Sequence, residues 1–220
     1  MDFQPQEVNR LVAYLLVIFV GIGIHEYAHA KVADMSGDDI PRLQGRVTLN
    51  LFKHFDPMGS LFIFISVLTG FGIGWGKPVM SDPRNMKNER WDHFATVAAG
   101  PFSNFIQACL FAIVFRTVIH VTPEIDPTSF GFWVLYYGVV ANLSLALFNL
   151  IPLGPLDGHW LFGLLFLDNP ARHNWFQFNR VYGAILLFVI ILGGQFSGVS
   201  LVWMLLGPPV DAMTSILIGT

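Results

Sequence analysis

The chain has 220 residues, 54% of them hydrophobic and only 12% charged, with 21 Phe and a mean hydropathy of +0.57; a soluble core needs no such excess, so composition predicts a polytopic membrane protein. A net charge of -3 with no Lys/Arg run and no basic-aromatic groove excludes nucleic acid as a partner. The single cysteine, Cys109, excludes an internal disulfide and any cysteine-rich metal site, which leaves His and carboxylate as candidate metal ligands.

Taken in order, residues 9–33 predict a first membrane helix, and its last turns carry GIHEYAHA at residues 23–30. In this H-E-x-x-H pattern His25 and His29 lie one above the other on a helical face, so both imidazoles reach one metal ion. Glu26 points about 100° away, which suits it to act on a water held there and not to join the ligands. Chance would place such a pattern in a shuffled chain of this composition roughly 0.004 times, and an unpartnered carboxylate in hydrocarbon costs about 2.5 kcal/mol or more, so a merely structural motif is a poor explanation. Because the motif lies inside this apolar stretch, the stretch is expected to be retained and not removed as a signal peptide.

Residues 34–57 are polar and turn-rich, and a short apolar run at 58–76 follows, rich in glycine. After a second polar segment at 77–91 come long apolar segments at 91–119 and 130–151, separated by a loop at 121–128. Residues 152–180 are mixed, and 181–194 and 199–219 are apolar again, forming one span plus a tail or two spans. The expectation is a single domain over residues 1–220, with its core at 9–167 and C-terminal hydrophobic segments at 181–219.

Orientation follows from Lys/Arg counts. Residues 31–57 and 76–90 carry four each and 153–180 two, whereas 120–130 and 195–220 carry none, so the first three segments are expected in the cytoplasm. Both flanks of 58–76 then lie on one side, which predicts a re-entrant Gly-rich loop, with a true span as the rival. The 130–151 span runs inward and delivers PLGPLDGH (152–159) to the depth of the histidines. Asp157 there is a candidate third ligand or an ordinary Asp-Gly turn.

HEYAHA in a first helix with Leu-Asp-Gly after a later one resembles the site-2 protease family of intramembrane zinc metalloproteases. RLQGRVTLNLFKHFDPMG at 42–59 resembles the connector of compact members that lack a PDZ domain. GWGKPV at 74–79, AGPFSN at 99–104 and NLSLALFNLIPLGPLDG at 142–158 are similar to further family elements, so the likeness covers residues 20–160. It implies an all-α polytopic membrane bundle in which His25, His29 and Asp157 bind one zinc and Glu26 is general base and acid. It also implies single-span membrane proteins as substrates, cut within the bilayer in regulated intramembrane proteolysis, with the active site near the cytoplasmic face of the cell membrane. The family's re-entrant membrane loop agrees with the charge argument.

Asn104 and Asn149, amides in membrane segments, are candidate donors to the tetrahedral oxyanion, or else interhelical hydrogen-bonders. The glycine-rich loop is expected to offer a strand edge to an unwound transmembrane peptide. Two positions depart from the family pattern. Asp82 stands where relatives often carry Asn before proline, and His159 stands where a small residue is usual, as a fourth ligand, a supporting donor or a solvent-facing side chain. His54 and Asp56 read as a surface turn or as residues serving the site. A non-enzymatic metal-binding or metal-transport protein is the alternative, disfavoured by Glu26 and by the lack of internal repeats.

Overall fold

A computed structural model describes residues 4–69, 74–196 and 200–219, and among these the chain is all-helical. Helix α1 (Pro5–Ser36) starts on a proline, whose missing N–H costs nothing in a first turn, and Glu7 accepts the Gln4 N–H at 3.2 Å. It stops at Gly37, whose φ of 113° suits only glycine. A connector with α2 (Ile40–Leu43) and a 3-10 turn (Leu51–His54) leads to α3 (Pro57–Thr69). Helix α4 (Glu89–Val121) opens on a reciprocal cap: Asn88 accepts the Trp91 N–H at 3.1 Å while Asp92 accepts the Asn88 N–H at 2.8 Å. Ser129 caps α5 (Phe130–Asn149). Then come α6 (Asp157–Phe166), α7 (Asn169–Phe178), a π-helical turn (Asn179–Gly183), α8 (Ala184–Phe196) and α9 (Leu201–Ile218).

Among the described residues, five helical stretches are long and apolar enough to cross a membrane: Gln6–Ser36, Glu89–Val121, Phe130–Asn149, Asn169–Gly194 and Leu201–Ile218. The apolar run at 181–194 reaches crossing length because α7 and the π turn extend it upstream, so two candidate spans follow residue 169. Gly198, within the glycine-rich break between them, lies outside the described residues.

At the centre α1, α4 and α5 pack pairwise. Their contacts use small side chains: Ala13, Ala30, Ala108, Ala112, Ala141 and Ala146 are 5% exposed or less. In lipid no hydrophobic force drives helices together, and small residues let backbones approach closely enough for dispersion to do so. A Cβ on Gly21 would sit 3.0 Å from both Asn142 Oδ1 and Leu145 Cδ1, so α1 and α5 meet almost backbone to side chain there. The outer faces carry exposed Ile113, Val114, Met204 and Leu205, as lipid-facing surfaces should.

The glycine-rich run expected as a loop at 58–76 is a helix followed by non-helical chain. Helix α3 has 13 residues, hence about 20 Å of rise against roughly 30 Å of hydrocarbon. From residue 74 the chain is non-helical and packs back on α3, with Trp75 stacked on Phe62 at 5.5 Å and the Trp75 carbonyl where a Gly59 Cβ would be. The Lys77 N–H donates to the His54 carbonyl at 2.9 Å, so the segment ends where it began. Gly70 and Gly72 lie outside the described residues.

Asp38, fully buried just past α1, anchors the return. Its carboxylate accepts the Asp82 N–H at 2.7 Å, the Asn85 amide at 3.0 Å and the Ile40 N–H at 3.2 Å, tying the end of α1 to the chain that leads into α4. Asp38→Ala would strand those donors in a buried place, and hydrogen bonds to a charged group are worth about 2 kcal/mol each. The expected result is a lower thermal midpoint in detergent with proteolytic nicking between residues 77 and 88; an unchanged midpoint would contradict the anchoring role.

Candidate metal centre

His25 and His29 occupy successive turns of α1, and Asp157 is the first residue of α6, where the helix N-terminus favours a carboxylate. The helices meet so that His25 Nε2 and His29 Nε2 lie 3.0 Å apart, with Asp157 Oδ2 at 3.2 Å and 3.4 Å from them. Both histidines are 9% exposed or less. His25 Nδ1 is 2.7 Å from Asn104 Oδ1, and His29 Nδ1 is 2.8 Å from the Thr96 carbonyl, so each Nδ1 donates and each Nε2 turns a lone pair inward. Asp157 Oδ2 is buried and accepts no hydrogen bond. Three acceptors therefore face one another with no donor between them, a repulsive arrangement unless a cation sits at their centre.

The donor set fits zinc. A tetrahedral ion with bonds of about 2.0–2.2 Å needs donor atoms about 3.4 Å apart, close to the spacings found, and two imidazoles with one carboxylate leave a fourth position open. Helix α4 makes the room. A Cβ on Gly100 would lie 2.3 Å from His29 Nε2 and 2.7 Å from His25 Cε1, so only glycine lets α4 pass the imidazoles. The loop before Asp157 is pinned from the other side: Asn179, at the π turn, accepts the Gly154 N–H at 2.8 Å and donates to the Trp175 carbonyl at 3.2 Å.

Glu26 stays out of this triad. It lines a cavity of about 1690 Å³ that also opens on Asp157, His93, Asn149 and residues 74–76. Its Oε2 lies 3.9 Å from the Arg46 guanidinium. Arg46 is 3% exposed, donates to the Lys53 carbonyl at 3.0 Å and also bonds the Lys77 carbonyl. Burial pulls its pKa down, and Glu26 offsets part of that. In the sequence Arg46 counts only as one loop charge; no pattern there marks it as buried.

The two asparagines part company. Asn104, expected as an oxyanion donor, has both amide hydrogens engaged, by the Gly21 carbonyl at 3.1 Å and Asn142 Oδ1 at 3.0 Å, while its oxygen holds His25. It has none left for a substrate, and its geometry is that of a histidine clamp. Asn149 donates one hydrogen to the Leu145 carbonyl at 2.9 Å and lines the cavity, and its second amide hydrogen meets no acceptor among the described residues.

His54 departs from the surface-turn reading, whereas Asp56 lies partly exposed at the start of α3. His54 is 1% exposed and donates from Nε2 to the Thr48 carbonyl at 2.9 Å, while Asp56 caps α3 by accepting the Gly59 N–H at 2.7 Å. Burial holds the His54 pKa below its ordinary 6.5, and the Arg46 charge adds to this. Asp82 pairs with Arg84 at 2.6 Å, and that hydrogen-bonded partner brings its carboxyl down to about 2. His159 is buried, not solvent-facing: Nδ1 bonds the Leu156 carbonyl at 2.6 Å, and the ring packs on Trp160. It stands outside the group of ligand atoms and supports the turn that carries Asp157.

A family model described as Peptidase family M50 matches residues 13–123. Over 158 residues, 68% of this chain and 67% of the relative, the sequence is 37% identical to "Putative zinc metalloprotease YwhC" of Bacillus subtilis (strain 168). Over 214 residues, 83% of this chain and 79% of the relative, it is 26% identical to "Putative zinc metalloprotease Rip2" of Mycolicibacterium smegmatis (strain ATCC 700084 / mc(2)155). No solved structure matches it. The family match takes in both histidines, Glu26, Gly100 and Asn104 and stops short of Asp157.

Two outcomes follow from this geometry. Gly100→Ala should leave helicity intact while displacing both imidazoles, lowering zinc affinity in a competitive chelator titration by at least about tenfold to a hundredfold. Unaltered affinity would mean that α4 does not shape the centre. Because His54 takes up a proton at lower pH folded than unfolded, its contribution to stability is full above the unfolded value and declines as pH falls through the folded one. In thermal unfolding of the solubilised protein, the gap between wild type and His54→Gln should be widest above about pH 7 and narrow on acidification. A gap independent of pH would rule out this coupling.

Proposed function

The chain belongs to peptidase family M50 and is a metalloprotease in a multi-pass membrane protein, and we propose that it cuts single-span membrane proteins in or near their transmembrane segments, in regulated intramembrane proteolysis. The observation that carries this reading is the placement of Glu26. It flanks three converging acceptors on the wall of a largely apolar cavity wide enough for a peptide segment.

His25, His29 and Asp157 would hold one zinc per chain, which family membership implies. When bound it would supply a Lewis acid that polarises a peptide carbonyl and lowers the pKa of water toward about 7. Asn104 and the Thr96 carbonyl keep both histidines in the tautomer that presents Nε2. Glu26 takes the proton from the attacking water and returns it to the leaving amine. Asn149, with an amide hydrogen to spare, donates to the oxyanion.

A transmembrane helix hides its amides and must be unwound before it can be cut. Residues 74–81 are non-helical and all but Lys77 line the cavity beside Glu26, which supports a role as the edge against which an extended substrate lies. The hydrogen bond from Lys77 to His54 supports a re-entrant reading of 57–77, since both ends of the segment lie together. With the Lys/Arg distribution, it supports an active site near the cytoplasmic face of the cell membrane. The metal-transport alternative has no observation of its own in favour.

The test is Glu26→Gln in proteoliposomes containing a single-span reporter. The variant should keep its zinc by metal analysis and lose cleavage by at least about a hundredfold, the usual scale of a lost general base. In the wild type, mass spectrometry should map the cut within or beside the reporter's membrane segment. Full cleavage by Glu26→Gln would sink the base assignment, and cuts confined to distant soluble loops would sink the substrate class.

A further inference from the structure

We propose that Arg46 is a positioning residue for the reaction, one guanidinium that locks the substrate-facing chain at Lys77 to the carboxylate of Glu26. The inference rests on Glu26 being the base. Arg46 comes from the connector between α2 and the 3-10 turn, a stretch whose composition suggests a solvated loop, yet its side chain is 4% exposed. Its Nη1 donates to the Lys53 carbonyl at 3.0 Å. Its Nη2 bonds the Lys77 carbonyl and lies 3.9 Å from Glu26 Oε2. The Lys77 N–H is in turn held by His54, so both backbone polar groups of Lys77 are fastened to the connector.

Gly76 completes the layer. A Cβ there would fall 3.3 Å from Glu26 Cγ and 2.6 Å from Ile22, which brings the return chain directly against the helix that carries the base. Glu26, Gly76, Lys77 and Arg46 thus form one contact surface. If the return chain shifts, the Lys77 carbonyl and the guanidinium shift with it, and the charge facing Glu26 moves.

A simple fastener would not need a cation. Two carbonyls are satisfied by a neutral amide, whereas burying a guanidinium costs several kcal/mol unless an anion and good acceptors surround it. Among the described residues that Arg46 meets, Glu26 is the one carboxylate. The charge is therefore explained by the base, and the hydrogen bonds by the chain that lies along the substrate.

Three substitutions separate these parts in the full-length protein reconstituted with a single-span reporter. Arg46→Gln keeps donors for the carbonyls and removes the charge; it should be folded and zinc-loaded, with kcat lowered about tenfold to a hundredfold and KM nearly unchanged. Arg46→Lys keeps the charge and should recover most of that kcat. Arg46→Met removes both and should also raise KM, because the Lys77 carbonyl comes loose. The proposal is overturned if Arg46→Gln matches wild type in kcat, or if the activity lost in Arg46→Gln only parallels lost zinc or folded protein. Should Arg46→Met fail to fold, the Gln and Lys pair still decides. An inactive Glu26→Gln beside a fully active Arg46→Gln sinks this inference alone, whereas an active Glu26→Gln sinks the base assignment beneath it.

Discussion

Three buried lone pairs pointing at one another within hydrogen-bond distance are the constraint on which this structure turns. His25 Nε2, His29 Nε2 and Asp157 Oδ2 lie 3.0 to 3.4 Å apart, and none has a proton to offer the others while both imidazoles donate from Nδ1. In a medium of low dielectric such a cluster repels itself unless a cation sits within it. Holding it together without an ion costs the fold, and binding one returns that energy, so metal affinity and stability are linked.

The helices are arranged to hold that cluster. Gly100 lets α4 pass where any Cβ would strike the imidazoles, and Asn104, one turn on, uses its whole amide to tie His25, Gly21 and Asn142 into a single contact of α1, α4 and α5. Asp157 reaches the same point from a loop braced by Asn179 at a π-helical turn, a local departure from α geometry that sets a side chain where regular winding would not. Gly158 repeats the device: a Cβ there would lie 2.3 Å from the carbonyls of Leu150 and Ile151, so the start of α6 packs on bare backbone.

Around Glu26 the apolar helix faces give way to a polar layer. The connector, with buried Asp38, Arg46 and His54, forms a hydrogen-bonded floor under the return chain. Main-chain atoms of neighbouring segments meet most of their polar atoms, while Arg46 Nε and His54 Nδ1 find no partner among the described residues. That lends stiffness to a chain without regular secondary structure.

The membrane class, the long helices and the metal motif were legible because each is written in local pattern. Lipid demands runs of about twenty apolar residues, and a helix repeats every 3.6, so His25 and His29 were bound to share a face whatever surrounded them. What the sequence by itself determined was therefore the class, the helical segments and the paired imidazoles, since these depend on neighbours along the chain and on the solvent. Only the tertiary structure decided that Asp157 completes the cluster, that Asn104 clamps a histidine and has nothing left to give a substrate, and that Arg46 is buried beside Glu26. Those facts depend on which backbones approach across space, and glycines such as Gly100 and Gly76 permit that approach without revealing, in one dimension, what they let pass.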